Sequence, residues 1–437
     1  MIGQRASGIR HRASLLLACC LLPAARCPLL AQDTTSSGVR IGITYAPGTR
    51  PSLTVVPYAT AGFDSVSAII ARDLDHSDRF ELVAATETVR GRMTTQLDAA
   101  AFASLGVAVV VSLAGDAGGI AVTAHDPRSG QALARRRVST GAAMRAEAHA
   151  AADDIVRAAF GQNGIASSAV LFVRNGRVWR VDADGHGARE LRTAGSPSLS
   201  PAWAPDGRSF AYTAYVRSGQ PIVVQDAASG ARRMLAGTEY GLNITPSFSP
   251  DGRRIVYAHA GEGGTDIYVA DAGGRGEPQR LTAGRFADNL SPSYSPDGSR
   301  IAFISTRAGS PQLYVMNADG TGQEVLARFD FGATGTTSAP AWSPEGQLIA
   351  FHREVGGTPQ IFVLDASTRA LRQLTGSGRN EDPSWAPDGR HLVFVSSRAG
   401  GRELWVIDLE TGRLRQLTHL SGARLPAWSP RLVEEGR

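Results

Sequence analysis

Nine histidines, three cysteines and a row of recurring aspartates are the side chains in this 437-residue chain with the clearest capacity for chemistry. Their spacing decides what kind. His76, His125, His149, His186, His259, His352, His391 and His419 are scattered without the short intervals that place two imidazoles on one ion, so no metal site is expected. Cys19, Cys20 and Cys27 all fall within the first 31 residues, which leaves no thiol nucleophile, disulfide or cysteine metal site beyond them. Asp182, Asp226, Asp271, Asn317, Asp365 and Asp408 recur at one fixed place in a repeat. A catalytic pair of carboxylates is singular, whereas turn-forming Asp and Asn repeat with the backbone they shape, so these six read as turn residues. The "DADG" and "NADG" stretches lack the remaining ligands of a calcium loop and read the same way.

The first 31 residues have the layout of an export signal: Arg5, Arg10 and Arg12, then an apolar run from Ala13 to Leu22, then "CPLLAQD" with cleavage expected after Ala31. The alternative, lipoprotein processing at Cys19, leaves an apolar stretch of only about six residues, and ordinary signal cleavage is favoured over it. The run is also shorter than the ~20 residues a membrane-spanning helix needs, so no direct membrane insertion is expected. Removing the signal changes the count from 45 basic and 40 acidic residues to 41 and 40, a net charge of +1. Every basic residue is Arg and the arginines are dispersed, which argues against a nucleic-acid partner.

The elements that must carry the repeated Asp residues follow from one phrase. It appears as "PAWAPDG" at 201, "PSFSPDG" at 246, "PSYSPDG" at 292, "PAWSPEG" at 340, "PSWAPDG" at 383 and "PAWSPR" at 426, 43 to 48 residues apart. Apolar, β-branched and aromatic strands such as "RIAFIS" and "IYVAD" follow the first five copies. A period of about 40 to 50 residues with four short strands defines a blade of a β-propeller. Residues 169–193 supply three strands without a phrase, and the copy at 426 is a phrase without three strands. The C-terminal strand therefore closes a six-bladed ring and leaves no free edge. The phrase aromatics, Trp203, Phe248, Tyr294, Trp342, Trp385 and Trp428, are expected between blades.

Residues 39–161 read instead as an α/β domain. The strands "VRIGITY", "LTVVPY" and "VAVVVSL", a helix with Val66, Ile69, Ile70 and Leu74 on one face, a hairpin turning at 128–130 and a long helix stopped by Gly161 make it up. Residues 32–38 form a flexible polar start, 162–168 a linker and 169–437 the propeller. There is no G-x-S-x-G motif and no hydrolase-sized extra domain, so no catalytic residue or cofactor is expected. The competing class is an exported propeller hydrolase or glycan-binding protein.

Length variation concentrates in the connector between blades, all copies of which lie on one rim around the channel mouth. It reads either as a binding face or as drift in unconstrained loops. Three connectors carry Asn three residues before Pro, at Asn243, Asn289 and Asn380, where Asn with Thr or Ser reads either as a local cap on the incoming strand or as a partner contact; the longest, residues 327–339, carries Phe329 and Phe331 among Gly and Thr. A partner segment across the mouth is expected to meet Asn243, Thr245, Asn289, Ser291, Asn380 and Glu381, with Phe329 and Phe331 beside it as anchors.

"VRI", "VVP", "IIARDLDHSDRF", "GIASSAVLFV", "SPSLSPAWAPDG" and "LPAWSPRL" together resemble the TolB family, whose members combine an export signal, this α/β domain and a propeller. The resemblance implies a non-enzymatic, monomeric periplasmic adaptor that binds the lipoprotein Pal at the channel mouth and TolA through its N-terminal segment, in support of outer-membrane integrity and division. It places the TolA contact on residues 32–44, including Val39, Arg40, Ile41 and Ile43. After "VRIGIT" the chain departs from the family with "YAPGTRP", and "QDTTSSG" precedes it.

Overall fold

The computed structural model describes residues 50–57, 64–84, 99–116, 118–284, 286–327 and 335–432. The export signal, the segment with Val39, Arg40, Ile41 and Ile43, the strand expected at "VRIGITY", and Phe329 and Phe331 lie outside the described residues.

The N-terminal domain is one five-stranded sheet, order β2-β1-β3-β4-β5, formed by β1 (Ser52–Pro57), β2 (Glu81–Leu82), β3 (Val109–Asp116), β4 (Gly119–His125) and β5 (Ala132–Val138). Both neighbours of β1 run parallel to it, and the β3–β4–β5 meander is antiparallel. The helices are α1 (Asp64–His76), α2 (Ala99–Ser104) and α3 (Met144–Phe160). The apolar stripe of α1, Val66, Ile69, Ile70 and Leu74, packs with Ala148, Ala151, Ala152, Ile155 and Val156 of α3 over the sheet. Alanines on that face of α3 let the two helices come close. Gly161, at φ 70°, ends α3 by donating its amide to Arg157.

Six four-stranded blades follow. The first combines β6 (Ala169–Arg174), β7 (Arg177–Asp182) and β8 (Arg189–Glu190) with the C-terminal strand Arg424–Trp428, which pairs antiparallel with β6. Blades two to six are consecutive in sequence, with inner strands Ser198–Trp203, Leu242–Phe248, Asn289–Tyr294, Thr337–Trp342 and Asn380–Trp385. The repeated phrase is now explained. In "SYSPDG" the Ser295 hydroxyl donates to Asp297 and accepts from the Arg300 amide at 2.9 Å, and the Ser295 and Ser299 contacts hold the Asp297 carboxyl down at about 2. Asp226 and Asp365 likewise accept from two amides and a hydroxyl just beyond them, as turn formers. Trp203, Tyr294, Trp385 and Trp428 are buried, while Phe248 and Trp342 are half-buried.

Antiparallel strands make each blade turn at alternate faces. The first-to-second and third-to-fourth turns share one face; the blade-to-blade connectors and second-to-third turns share the other. The α/β domain sits on the first of these. Asp75 and Asp78, at the C-terminal end of α1, meet blade six: Arg413 donates to Asp75 at 2.6 Å and to Asp78 at 2.9 Å, and Arg390 donates to the Asp78 carbonyl at 3.2 Å. His391, fully buried, lies between Asp388 at 2.7 Å and Asp78 at 3.2 Å. The 162–168 segment is pinned as well. Asp153 of α3 accepts from the amides of Ala166 and Ser167, both at 2.9 Å, and a Cβ on Gly164 would come within 2.2 Å of that carboxylate. Among the described residues no helix is long and apolar enough to cross a membrane.

Two predictions follow from these contacts. Trp428 is 6% exposed in the core shared by blades one and six, and its indole donates to Ser168 at 2.8 Å. Trp428→Ala is expected to cost ~3–5 kcal/mol in denaturant unfolding; unchanged unfolding would show that the C-terminal strand does not secure the ring. Burial alone would lower the His391 pKa, but Asp388 and Asp78 carry it up to about 9. Because this lies above the unfolded value of 6.5, the stabilisation is complete below pH 6.5 and is lost as pH rises through about 9. Its partner Asp388 is held at about 2, so its share is lost only as pH falls from 3.8 through that value. His391→Gln should therefore destabilise by ~3–5 kcal/mol near neutral pH and by much less in alkaline buffer; an equal deficit at both would refute the charged joint.

Candidate functional site

The connector face opposite the α/β domain holds the channel mouth. Each inner strand carries a bulge at the residue before its Pro, and Ser200, Thr245, Ser291, Ala339, Asp382 and Leu425 all adopt φ between 50° and 54°. Six non-glycine residues in the left-handed region, each followed by Pro, turn the strands toward the axis. They line a cavity of about 240 Å³ with Pro201, Pro246, Pro292, Pro340, Pro383 and Pro426. Thr245 and Ser291, named from the sequence, are among these lining residues. Asp382 supplies the cavity's carboxyl, which burial pushes up. Its amide donates to Nδ1 of His352 at 3.1 Å, which leaves that nitrogen unprotonated, and burial pushes the imidazole down. Glu381 is held on the rim between Arg379 at 3.0 Å and Arg402 at 3.5 Å.

The three asparagines differ from expectation: Asn243, Asn289 and Asn380 are 0% exposed and turn inward rather than toward a partner. Asn243 donates to the carbonyls of Gln220, Thr238 and Tyr240 at 3.0–3.1 Å, with His259 on its oxygen at 2.8 Å. Asn289 donates to Thr265 and Asp266 and accepts from Arg307 at 2.9 Å. Asn380 donates to Gln360, Ser377 and Gly378 and accepts from Arg398 at 3.0 Å. A buried amide needs all its partners, and here the preceding blade and connector take its donors while its own blade supplies the group on its oxygen. These residues staple the connectors, their amides engaged within the protein. Arg307 and Arg398 are set in turn by stacking on Tyr314 and Trp405 at 4.9 and 5.0 Å.

What the staples hold out is aromatic. Tyr240 is 76% exposed and Phe286 91% exposed, on the connectors entering blades three and four. Each sits three residues before a stapling Asn, a spacing visible in the sequence and not used there. Phe329 and Phe331 belong to the next connector, outside the described residues.

On the opposite face, Asp73, His149 and Asp184 bring possible ligand atoms within 4.8 Å of one another, a grouping that sequence spacing gave no hint of. Asp184 is already taken by Arg72 at 2.5 Å, by Arg145 and by the His186 amide at 2.9 Å. Burial opposes its charge, yet these donors keep its carboxyl below the usual range. Two guanidiniums on the central carboxylate fit an ion-pair cluster rather than a cation site.

The geometry defines a class: a six-bladed propeller with an α/β domain on one face and an open, aromatic-bearing mouth on the other. Residues 159–430 match the family model of the TolB β-propeller domain, and the chain belongs to that family. The Tol-Pal system protein TolB of Nitrosococcus oceani is 31% identical over 227 residues, 48% of this chain and 52% of that protein. The protein of the same name from Albidiferax ferrireducens is 33% identical over 238 residues, 50% of this chain and 52% of its own length. The chain thus spans about half the length of the curated relatives it matches. The crystal structure of TolB from Acinetobacter baumannii superposes with a TM-score of 0.74 at 26% identity, over 88% of this chain and 98% of that one.

Asn289→Ala should take the acceptor from Arg307 Nη2 and a donor from both Asp266 and the Thr265 carbonyl, and cost ~1–3 kcal/mol. Thermal unfolding reads this directly. An unchanged melting temperature with a changed binding affinity would return Asn289 to the partner surface.

Proposed function

We propose that this chain is a non-enzymatic adaptor of a Tol-Pal system in the periplasm, which captures the lipoprotein Pal on the propeller's connector face and TolA through residues 32–44. The observation that carries the reading is the pair Tyr240 and Phe286, exposed on successive connectors above the proline-lined cavity. Large aromatics held in water by a rigid frame suit a partner's apolar anchors. Thr245, Ser291 and Asp382 offer polar groups in the cavity wall. The α/β domain occupies the other face and leaves this one clear. The names of the relatives, Tol-Pal system proteins, support the system. A non-enzymatic role is supported by the repeated carboxylates, which hold turns.

The test is capture of purified Pal by the wild type and by Tyr240→Ser with Phe286→Ser. Loss of two exposed anchors should weaken capture by about 2 kcal/mol or more, some thirtyfold, without lowering the melting temperature. Adding Phe329→Ser and Phe331→Ser should weaken it further. Retained capture would make the connector face drift. Deleting residues 32–44 should abolish TolA binding and leave Pal binding in place; unchanged TolA binding would overturn that half of the reading.

A further inference from the structure

A cavity of about 450 Å³ lies at the joint, walled by α3 and β5 of the α/β domain and by β7 and the end of the C-terminal segment. That volume is within the ~300–1,000 Å³ of small-molecule sites. Five guanidiniums, Arg136, Arg145, Arg157, Arg180 and Arg431, reach its wall.

Their internal partners fill them only in part: Arg145 pairs with Asp184 through one terminal nitrogen, Arg431 Nε lies 3.4 Å from Asp153, and the other acids are shared. Asp154 serves three at once: Arg136 at 2.7 Å, Arg431 at 3.5 Å and Arg157 at 3.8 Å. Asp182 is 3.4 Å from Arg180 and 3.9 Å from Arg145 Nε, the latter beyond hydrogen-bond distance. Glu147, the third acid on the wall, is engaged by the Ser139 amide. Arg145 Nε and Arg180 Nε are buried without a hydrogen-bond partner. So is Nε2 of His149, whose side chain is 7% exposed and whose Nδ1 lies 2.6 Å from Asp73. Burial works against a charge on this ring, but the Asp73 hydrogen bond draws its pKa up, toward the form in which Nε2 donates. Buried donors left open around a cavity are costly unless an acceptor meets them, and a guanidinium meets an oxyanion best.

We propose that this cavity binds a small oxyanion, a carboxylate or phosphate group of a small molecule, held by Arg145, Arg180 and His149 with Arg157 at the rim. The ligand would tie α3 to β7 and so brace the two domains against each other. The inference is independent of the reading of the connector face.

Inorganic phosphate and succinate are the probes, titrated calorimetrically into the purified protein at low salt, with melting temperature read in parallel. Saturable binding of either at one per chain, with a rise in melting temperature, supports the site, and which probe binds separates phosphate from carboxylate ligands. R180Q should weaken it by about tenfold or more, and R157Q, at a more exposed position, by a smaller factor. If R180Q does not fold, R157Q decides. No saturable binding up to about 10 mM, or wild-type affinity in the folded variants, overturns the proposal.

Discussion

Everything here depends on one strand pairing. A blade has two faces and two edges, and a row of five blades and three strands would leave an unpaired edge at each end. The antiparallel pairing of Arg424–Trp428 with β6 removes both at once. Only in the closed ring do six inner strands face one axis. Only there do six left-handed residues and six prolines make a single mouth.

Closure also separates the two faces chemically. One is joined to the α/β domain by charge: Asp75 and Asp78 against Arg413, Asp78 against His391, and Asp184 against Arg72 and Arg145, with Arg390 on the Asp78 carbonyl. Asp78 and His391 at its centre are buried, so their pairing is demanding of geometry, and losing one partner costs more than the pair itself contributes. The other face is built largely from stapled amides, prolines and projecting rings, with Asp382 in the cavity and Glu381 paired to Arg379 and Arg402 on the rim. Its frame is rigid because Asn243, Asn289 and Asn380 bind the connectors to the preceding blade.

The blades were legible because they are local. Pro, an aromatic and Asp-Gly at fixed spacing specify a turn and its flanking strands, and the unmatched ends at 169 and 426 specified their union. The stripe of α1 and the Gly161 stop were legible for the same reason. The direction of the asparagines was not, since an amide that caps a connector and one that greets a ligand look alike in sequence. The clue lay 18 residues on, where Arg307 and Arg398 stand ready for Asn289 and Asn380. Nor could the joint be read: Asp78 and His391 are 313 residues apart, and their partnership exists only after docking.

The pinned segment after α3 has a consequence in time. Ser168 receives the indole of Trp428 across 260 residues, Ser167 accepts from the Leu432 amide at 2.7 Å, and Arg431 reaches Asp153 at 3.4 Å. The residues that complete the ring therefore also fix how the first domain is oriented on it. A chain emerging from its N-terminus can assemble the α/β sheet and five blades early, from contacts near in sequence. Its final shape waits for residues 424–432, because loop closure over such a span brings no reward until they arrive. Until that moment the molecule is a completed domain on an open arc, with exposed strand edges that a chaperone could shield.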